Sequence, residues 1–206
     1  MNAVTSHLYD QFRKPRGPLG HVAGRIMSKR SSNVERSRWT VEQLGLARDA
    51  SVLEVGYGPG LGLEAALAAV PDGSVVGLDH SATMRSSAAK RNRAALDAGR
   101  LDVLVGDAQV PPPGLGPFDA IFSCNVWLFW SDQVATLRAL AGLLRPGGQL
   151  AVTHLPRHEG ASAAAADEAA SRIETQLCQI GLVGIDRRVL DLEPVPAVCV
   201  IGHSEP

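Results

Sequence analysis

From residue 51 onward, short apolar or β-branched runs alternate with longer Ala- and Leu-rich amphipathic runs. Few architectures accommodate that alternation besides a parallel sheet covered by helices. Residues 51–55, 74–78, 101–105, 118–123 and 149–153 read as five strands. The first connection predicts a helix over 61–70, stopped by Pro71-Asp72-Gly73, and the second a helix from an N-cap at Ser81 to Gly99. The third connection, 109–117, holds four prolines and two glycines and reads as a rigid loop. The fourth predicts a helix capped by Ser131, with Val134, Leu137, Leu140 and Leu144 on one face and Pro146-Gly147-Gly148 as its stop. An Ala-rich helix over 162–180 follows. Two further apolar runs, 183–190 and 196–201, lie too close together for a parallel crossover and must pair as an antiparallel hairpin.

Residues 1–50 stand outside this pattern and predict an appendage to a single domain, with the division at 50/51. Pro15, Gly17, Pro18, Gly20 and Gly24 make its front irregular, and Ser32-Asn33-Val34-Glu35 then reads as a capping box opening a helix that ends at Gly45. The segment carries nine Lys/Arg against four Asp/Glu, whereas 51–206 carry eleven against seventeen. A solvated basic helix accounts for that excess, and an anionic substrate or headgroup is the alternative. With no aromatic interleaving, a nucleic-acid stacking platform is not expected. Cys124, Cys178 and Cys199 match no metal-ligand or disulfide spacing, so no metal is expected. The chain lacks an apolar run of membrane-spanning length and a signal-peptide core, which predicts a cytoplasmic protein.

The first strand, Val52-Leu53-Glu54-Val55, runs straight into Gly56-Tyr57-Gly58-Pro59-Gly60 and then a helix. Glycines there allow the backbone to approach a ligand and to take positive φ, and in an open α/β sheet this turn borders the crevice where ligands bind. A nicotinamide-type GxGxxG would require glycine where Leu61 stands and has no place for Pro59. With Glu54 two residues ahead of the first glycine, the stretch instead resembles the E/D-x-G-x-G-x-G motif of the class I S-adenosylmethionine-dependent methyltransferases. Leu143-Leu144-Arg145-Pro146-Gly147-Gly148-Gln149-Leu150 is similar to that family's L-x-P-G-G-x-L stretch. The resemblance covers about residues 51–155. It implies a Rossmann-like α/β fold with a seven-stranded sheet in the order 3-2-1-4-5-7-6, strand 7 antiparallel and helices on both faces. Residues 1–50 would form an N-terminal helical lid, with Met27 and Asn33 as its contacts to the cofactor.

The resemblance implies S-adenosyl-L-methionine as cofactor and S-adenosyl-L-homocysteine as product. Glu54, Gly56, Tyr57, Gly58, Pro59 and Gly60 would hold its methionine end. Asp79, with His80 and Met84 after it, would take the ribose hydroxyls, since an ionised carboxylate at a strand end can accept from both. Gly106, Asp107 and Ala108 would meet the adenine, and Asn125 and Val126 would border the reacting methyl. An Asn-Pro-Pro-Tyr tetrad is missing there, which argues against exocyclic amines as acceptors. A small molecule is expected, with an apolar or aromatic metabolite favoured if Trp127 and Trp130 line its pocket and Arg25 pairs an anionic group. In-line displacement requires no dedicated base; His154 and, in the lid, His21 are the candidates for one. A phospholipid or quinone acceptor at a membrane surface, and a cofactor-binding regulatory partner without transferase activity, stay open, as does the choice between monomer and homodimer.

Overall fold

The computed structural model describes residues 31–158 and 160–206. In chain order these are α1 (Ser31–Gln43), β1 (Ser51–Val55), α2 (Leu61–Ala69), β2 (Ser74–Asp79), α3 (Ala82–Arg91), α4 (Arg93–Asp97), β3 (Leu101–Val105), β4 (Phe118–Cys124), a 3-10 turn (Trp127–Phe129), α5 (Gln133–Ala141), β5 (Leu144–His154), α6 (Ala163–Gln179), β6 (Val183–Leu190) and β7 (Ala197–His203). The sheet order is β3-β2-β1-β4-β5-β7-β6. The strands from β1 to β5 pair in parallel, and β7 runs antiparallel to both β5 and β6. This is the Rossmann-like order that the family resemblance implies, with the closing hairpin expected from the short spacing of the last two runs.

Strand parity divides the core between the two faces of the sheet. Leu53, Val55, Ile121, Leu150 and Val152 face α5 and α6, where they meet Leu137, Leu140, Ala166, Ala170, Ile173 and Leu177. Val52, Val75, Ala120, Phe122 and Ala151 face α1, α2 and α3, where Val41, Leu44, Leu63, Ala66, Met84 and Ala88 pack on them. Both faces being covered is why the strands read as near-continuous apolar runs. All five parallel strands therefore send their C-terminal ends to one edge, and the loops at that edge carry the residues singled out from the sequence.

Four local expectations are corrected. The cap of α5 is Asp132, whose carboxylate accepts from the Ala135 N–H at 2.9 Å, while the Ser131 hydroxyl donates to Gln109 Oε1. Gly142 closes α5, so Pro146-Gly147-Gly148 does not end a helix. It forms an excursion within β5, between the pairings Phe118–Leu144 and Ala120–Gln149, where the Gly147 N–H donates to the Glu205 carbonyl and Ser204 to the Arg145 carbonyl. Ser32 lies inside α1 and not at its cap. The helix read as continuous from Ser81 to Gly99 is broken at Asn92, although Ser81 caps it as expected.

Leu137 is wholly enclosed between α5, the sheet and α6. Leu137→Ala is expected to lower unfolding stability by about 2–5 kcal/mol, read from urea denaturation at unchanged m-value.

Candidate active site

The glycine turn is held in left-handed conformation at three points, Gly56, Gly58 and Gly60, with φ of 73°, 49° and 84°. A Cβ at Gly56 would come within 2.3 Å of Val126 Cγ1, so that position seats the loop after β4 against the turn. At Gly58 a Cβ would meet nothing within 4 Å, so positive φ and not crowding asks for glycine there, and the backbone is open to an approaching ligand. From behind, Asn92 Nδ2 donates to the Gly60 carbonyl and Arg91 Nε to the Pro59 carbonyl, both at 3.1 Å. Tyr57 turns inward: its ring packs over Gly77, its hydroxyl donates to the Leu104 carbonyl, and burial pushes the phenol up.

Two acids stand at the ends of adjacent strands. Asp79 is 7% exposed; Oδ2 accepts from the Gly58 N–H at 2.9 Å and Oδ1 from the Ser81 N–H at 2.8 Å, and burial raises its pKa despite both bonds. Each oxygen keeps a lone pair for a further donor. Glu54 is more enclosed; burial first and the Asp79 charge second raise its pKa well above the usual range, opposed by the Leu63 N–H at the start of α2 and by Arg36. Its Oε2 is buried with no hydrogen-bond partner. Gly62 admits the carboxyl, since a Cβ there would lie 2.1 Å from Oε1.

Further along the same edge, Asn125 takes φ of 58° and uses its side chain as backbone: Nδ2 donates to the Leu155 carbonyl and Oδ1 accepts the Leu155 N–H, prolonging the β4–β5 pairing past the strands. After β3, Asp107 makes an Asx turn to the Gln109 N–H, and the neighbouring Val110 is largely exposed. His154 lies beside Trp127, with ring centroids 6.0 Å apart, and burial first, then the Arg36 charge, lowers its pKa to about 4.

Helix α1 lays a polar stripe against this edge. Asn33, Arg36, Ser37 and Thr40, at helical spacing, are all buried. Thr40 hydrogen-bonds Thr153 at 2.8 Å, and the Cys124 thiol reaches Thr40 at 3.5 Å. Burial lowers the pKa of Arg36, while Cys124 and Glu54 favour its charged form. A groove of about 550 Å³ on the outer side of α1, lined by Val34, Glu35, Arg38, Trp39, Glu42 and Leu190, includes none of these groups.

A methyltransferase domain family matches residues 52–148, the stretch from β1 through the excursion in β5. An uncharacterized methyltransferase of Bacillus subtilis, YdaC, is 29% identical over 183 residues, 89% of this chain and 98% of that protein. From β1 to β5 the chain is thus similar to methyltransferase domains, in sequence over residues 52–148 and along most of its length to YdaC. A trans-aconitate 2-methyltransferase of Methylobacterium radiotolerans is 37% identical over 121 residues, 57% of this chain but only 44% of that protein, so the chain spans less than half of that relative. A crystal structure of a methyltransferase from Aquifex aeolicus superposes with a TM-score of 0.70 at 20% identity, covering 87% of this chain and 97% of that one; it shares the fold.

Within this fold, the residues read from the sequence separate into distinct places. Glu54, Gly56, Gly58, Pro59, Gly60, Asp79, His80, Gly106, Asp107, Ala108, Asn125 and Val126 all stand at the C-terminal edge of β1 to β4. The Met84 side chain is core, with only its N–H at the Ser81 cap. Trp127 has no exposed surface: its Nε1 donates to Gln176 Oε1 at 2.7 Å and the Arg172 guanidinium lies 5.0 Å over its ring, so it plugs the core and lines no open pocket. Trp130 packs against the same core. His21, Arg25 and Met27 lie outside the described residues. Sequence reasoning missed Asn92 and Arg36. For Arg36 the available signal was the run of polar residues 33, 36, 37 and 40 on one side of a helix.

The depressed pKa of His154 has a sign. Its folded value of about 4 lies below the ordinary histidine value of 6.5, so the stability it contributes is full above pH 6.5 and is lost as pH falls towards 4. Glu54 and Asp79, raised, work in the opposite sense, so the test is a difference. Between pH 6.5 and 4 the urea midpoint of wild type should fall more steeply than that of His154→Gln; parallel curves would contradict it.

Proposed function

We propose that the protein transfers the methyl group of S-adenosylmethionine to a small-molecule acceptor, with the cofactor held across the ends of β1, β2 and β3. The observation that carries this reading is the pair of buried acids beside the glycine turn, one of them with an unpartnered oxygen. Glu54 Oε2, enclosed and lacking a donor, matches an ammonium group. Asp79, fixed by the N–H groups of Gly58 and Ser81 with lone pairs to spare, matches a vicinal diol. Gly58, open on the side where a Cβ would stand, lets backbone approach the ligand. Asp107 and Ala108 offer an acceptor and an N–H to the adenine edge, and the segment before β1 serves as a cap.

S-adenosylmethionine supplies an electrophilic methyl on a sulfonium that becomes a neutral thioether on transfer. The chain's task is to bind, align and exclude water, because loss of charge at the reacting centre is favoured in a dry site and alignment supplies much of the rate. Val126, seated against Gly56, and Asn125, locked to Leu155, present a rigid wall at the end of β4. With its pKa near 4, His154 is a weak base, and the reading assigns it no obligatory proton transfer. Trp127 is spent on packing and the half-buried Trp130 rests on the same core, which weakens the reason to favour a flat, lipophilic acceptor. The trans-aconitate 2-methyltransferase relative supports a small, polar one.

Calorimetry with S-adenosylmethionine and S-adenosylhomocysteine tests the reading, and no binding of either at millimolar concentration would sink it. Asp79→Ala is expected to weaken S-adenosylhomocysteine binding on the order of 10- to 100-fold through loss of charge-assisted hydrogen bonds, with the circular dichroism spectrum unchanged.

A further inference from the structure

At the edge where the methyl group would be delivered, two guanidinium groups from distant parts of the chain meet on one oxygen. Arg36 Nη1, from α1, and Arg157 Nη2, from the loop after β5, donate to Asn33 Oδ1 at 3.1 and 2.8 Å. Arg157 also donates to Ser32 Oγ. Two cations that share a neutral amide oxygen repel one another, and the arrangement lies within reach of a single bridging anion. Arg36 is 6% exposed and its Nε is buried with no partner. Among the described residues no carboxylate stands within ion-pair distance of it; Glu54 acts on it from farther away. A buried guanidinium with a spare donor is costly unless a ligand completes it. Its neighbours Cys124 and Glu54, together with His154, which feels its charge, place it over the ends of β1, β4 and β5.

We propose that Arg36 and Arg157, braced by Asn33, form a carboxylate seat for the methyl acceptor, which makes the acceptor a small organic acid. The inference rests on the methyltransferase reading and names its substrate class. Planar guanidinium forks suit carboxylates, and a seat built from α1 and the loop after β5 puts the acid opposite the glycine turn. An acid acceptor also dispenses with a base. An oxygen of a second carboxylate attacks the methyl carbon, the S–C bond breaks with its electron pair returning to sulfur, and no proton remains to be placed. That agrees with a site whose buried histidine is a poor base.

The carboxylate could come from the acceptor or from the methionine end of the cofactor, and the test separates the two. The full chain, saturated with S-adenosylhomocysteine, is titrated with trans-aconitate, citrate, succinate and the trimethyl ester of trans-aconitate. At least one free acid is expected to bind and the ester to bind at least about tenfold more weakly. Arg157→Gln, a change at an exposed loop position that should not affect folding, is expected to weaken the acid about tenfold or more while S-adenosylhomocysteine affinity stays within about twofold. Arg36→Lys, which keeps the charge but not the fork, should weaken the acid in the same direction. Failure of every acid to bind at millimolar concentration, with S-adenosylhomocysteine still binding, overturns the proposal and leaves the methyltransferase reading standing. Arg157→Gln weakening S-adenosylhomocysteine in place of the acid overturns it in favour of the cofactor's own carboxylate. Failure of S-adenosylhomocysteine itself to bind removes both.

Discussion

The burial of Glu54 and Asp79 at the ends of neighbouring parallel strands is the constraint to which the surrounding structure answers. Two carboxyl groups so enclosed raise each other's cost, and burial is the first cause of the upward shift in both. What makes the pair tolerable is a set of fixed dipoles and one fixed charge: the Gly58 and Ser81 N–H groups on Asp79, the Leu63 N–H at the start of α2 on Glu54, and Arg36 facing it. Each provider imposes a demand elsewhere. Gly58 must take a positive φ to aim its N–H, Gly62 must lack a Cβ, and α1 must press against the sheet to deliver a guanidinium.

Those demands account for the shape of the turn. The three left-handed glycines do not satisfy one requirement three times. Gly56 yields to Val126, Gly60 to Asn92 and Ala88, and Gly58 to the direction of its N–H. Asn92, by donating to both the Gly60 and Ala88 carbonyls, ties the turn to α3 at the point where that helix breaks. The interruption of the helix and the rigidity of the turn thus have one origin.

Apart from β5, which starts at Leu144 and not at Gln149 because it takes in the Pro146-Gly147-Gly148 excursion, the strands were legible to within a residue or two because covered parallel strands leave continuous apolar runs, and the closing hairpin followed from the short spacing between 183–190 and 196–201. The turn and both acids were legible because they sit within a few residues of strand ends. Features set by distant partners were not. Arg157 and Asn33 lie 124 positions apart, and nothing local marks them as neighbours. Trp127 could equally line a pocket or fill the core until Gln176 and Arg172 took its edge and face. At Ser131-Asp132 two adjacent residues were both competent caps, and the hydroxyl of the first went to Gln109.

The two faces of the sheet divide the work unequally. The face under α5 and α6 is close to wholly apolar, with Trp127 as its largest plug, and its role is stability. The face under α1 carries the polar stripe of Asn33, Arg36, Ser37 and Thr40 at its C-terminal edge and apolar residues such as Val41 and Leu44 beyond. Val41 and Leu44 hold α1 to the sheet by hydrophobic contact, and the stripe one and two turns earlier ties it there by polar contacts, Thr40 to Thr153 and Asn33 to Arg157. Turn, acids and β4 wall are built from the sheet and its connections, whereas the buried Arg36 guanidinium comes from a helix that precedes the sheet in the chain. Under the proposed assignment the two sides meet at Arg36, whose charge acts on Glu54 as well as on the carboxylate seat, so a change of charge there reaches donor and acceptor sides alike.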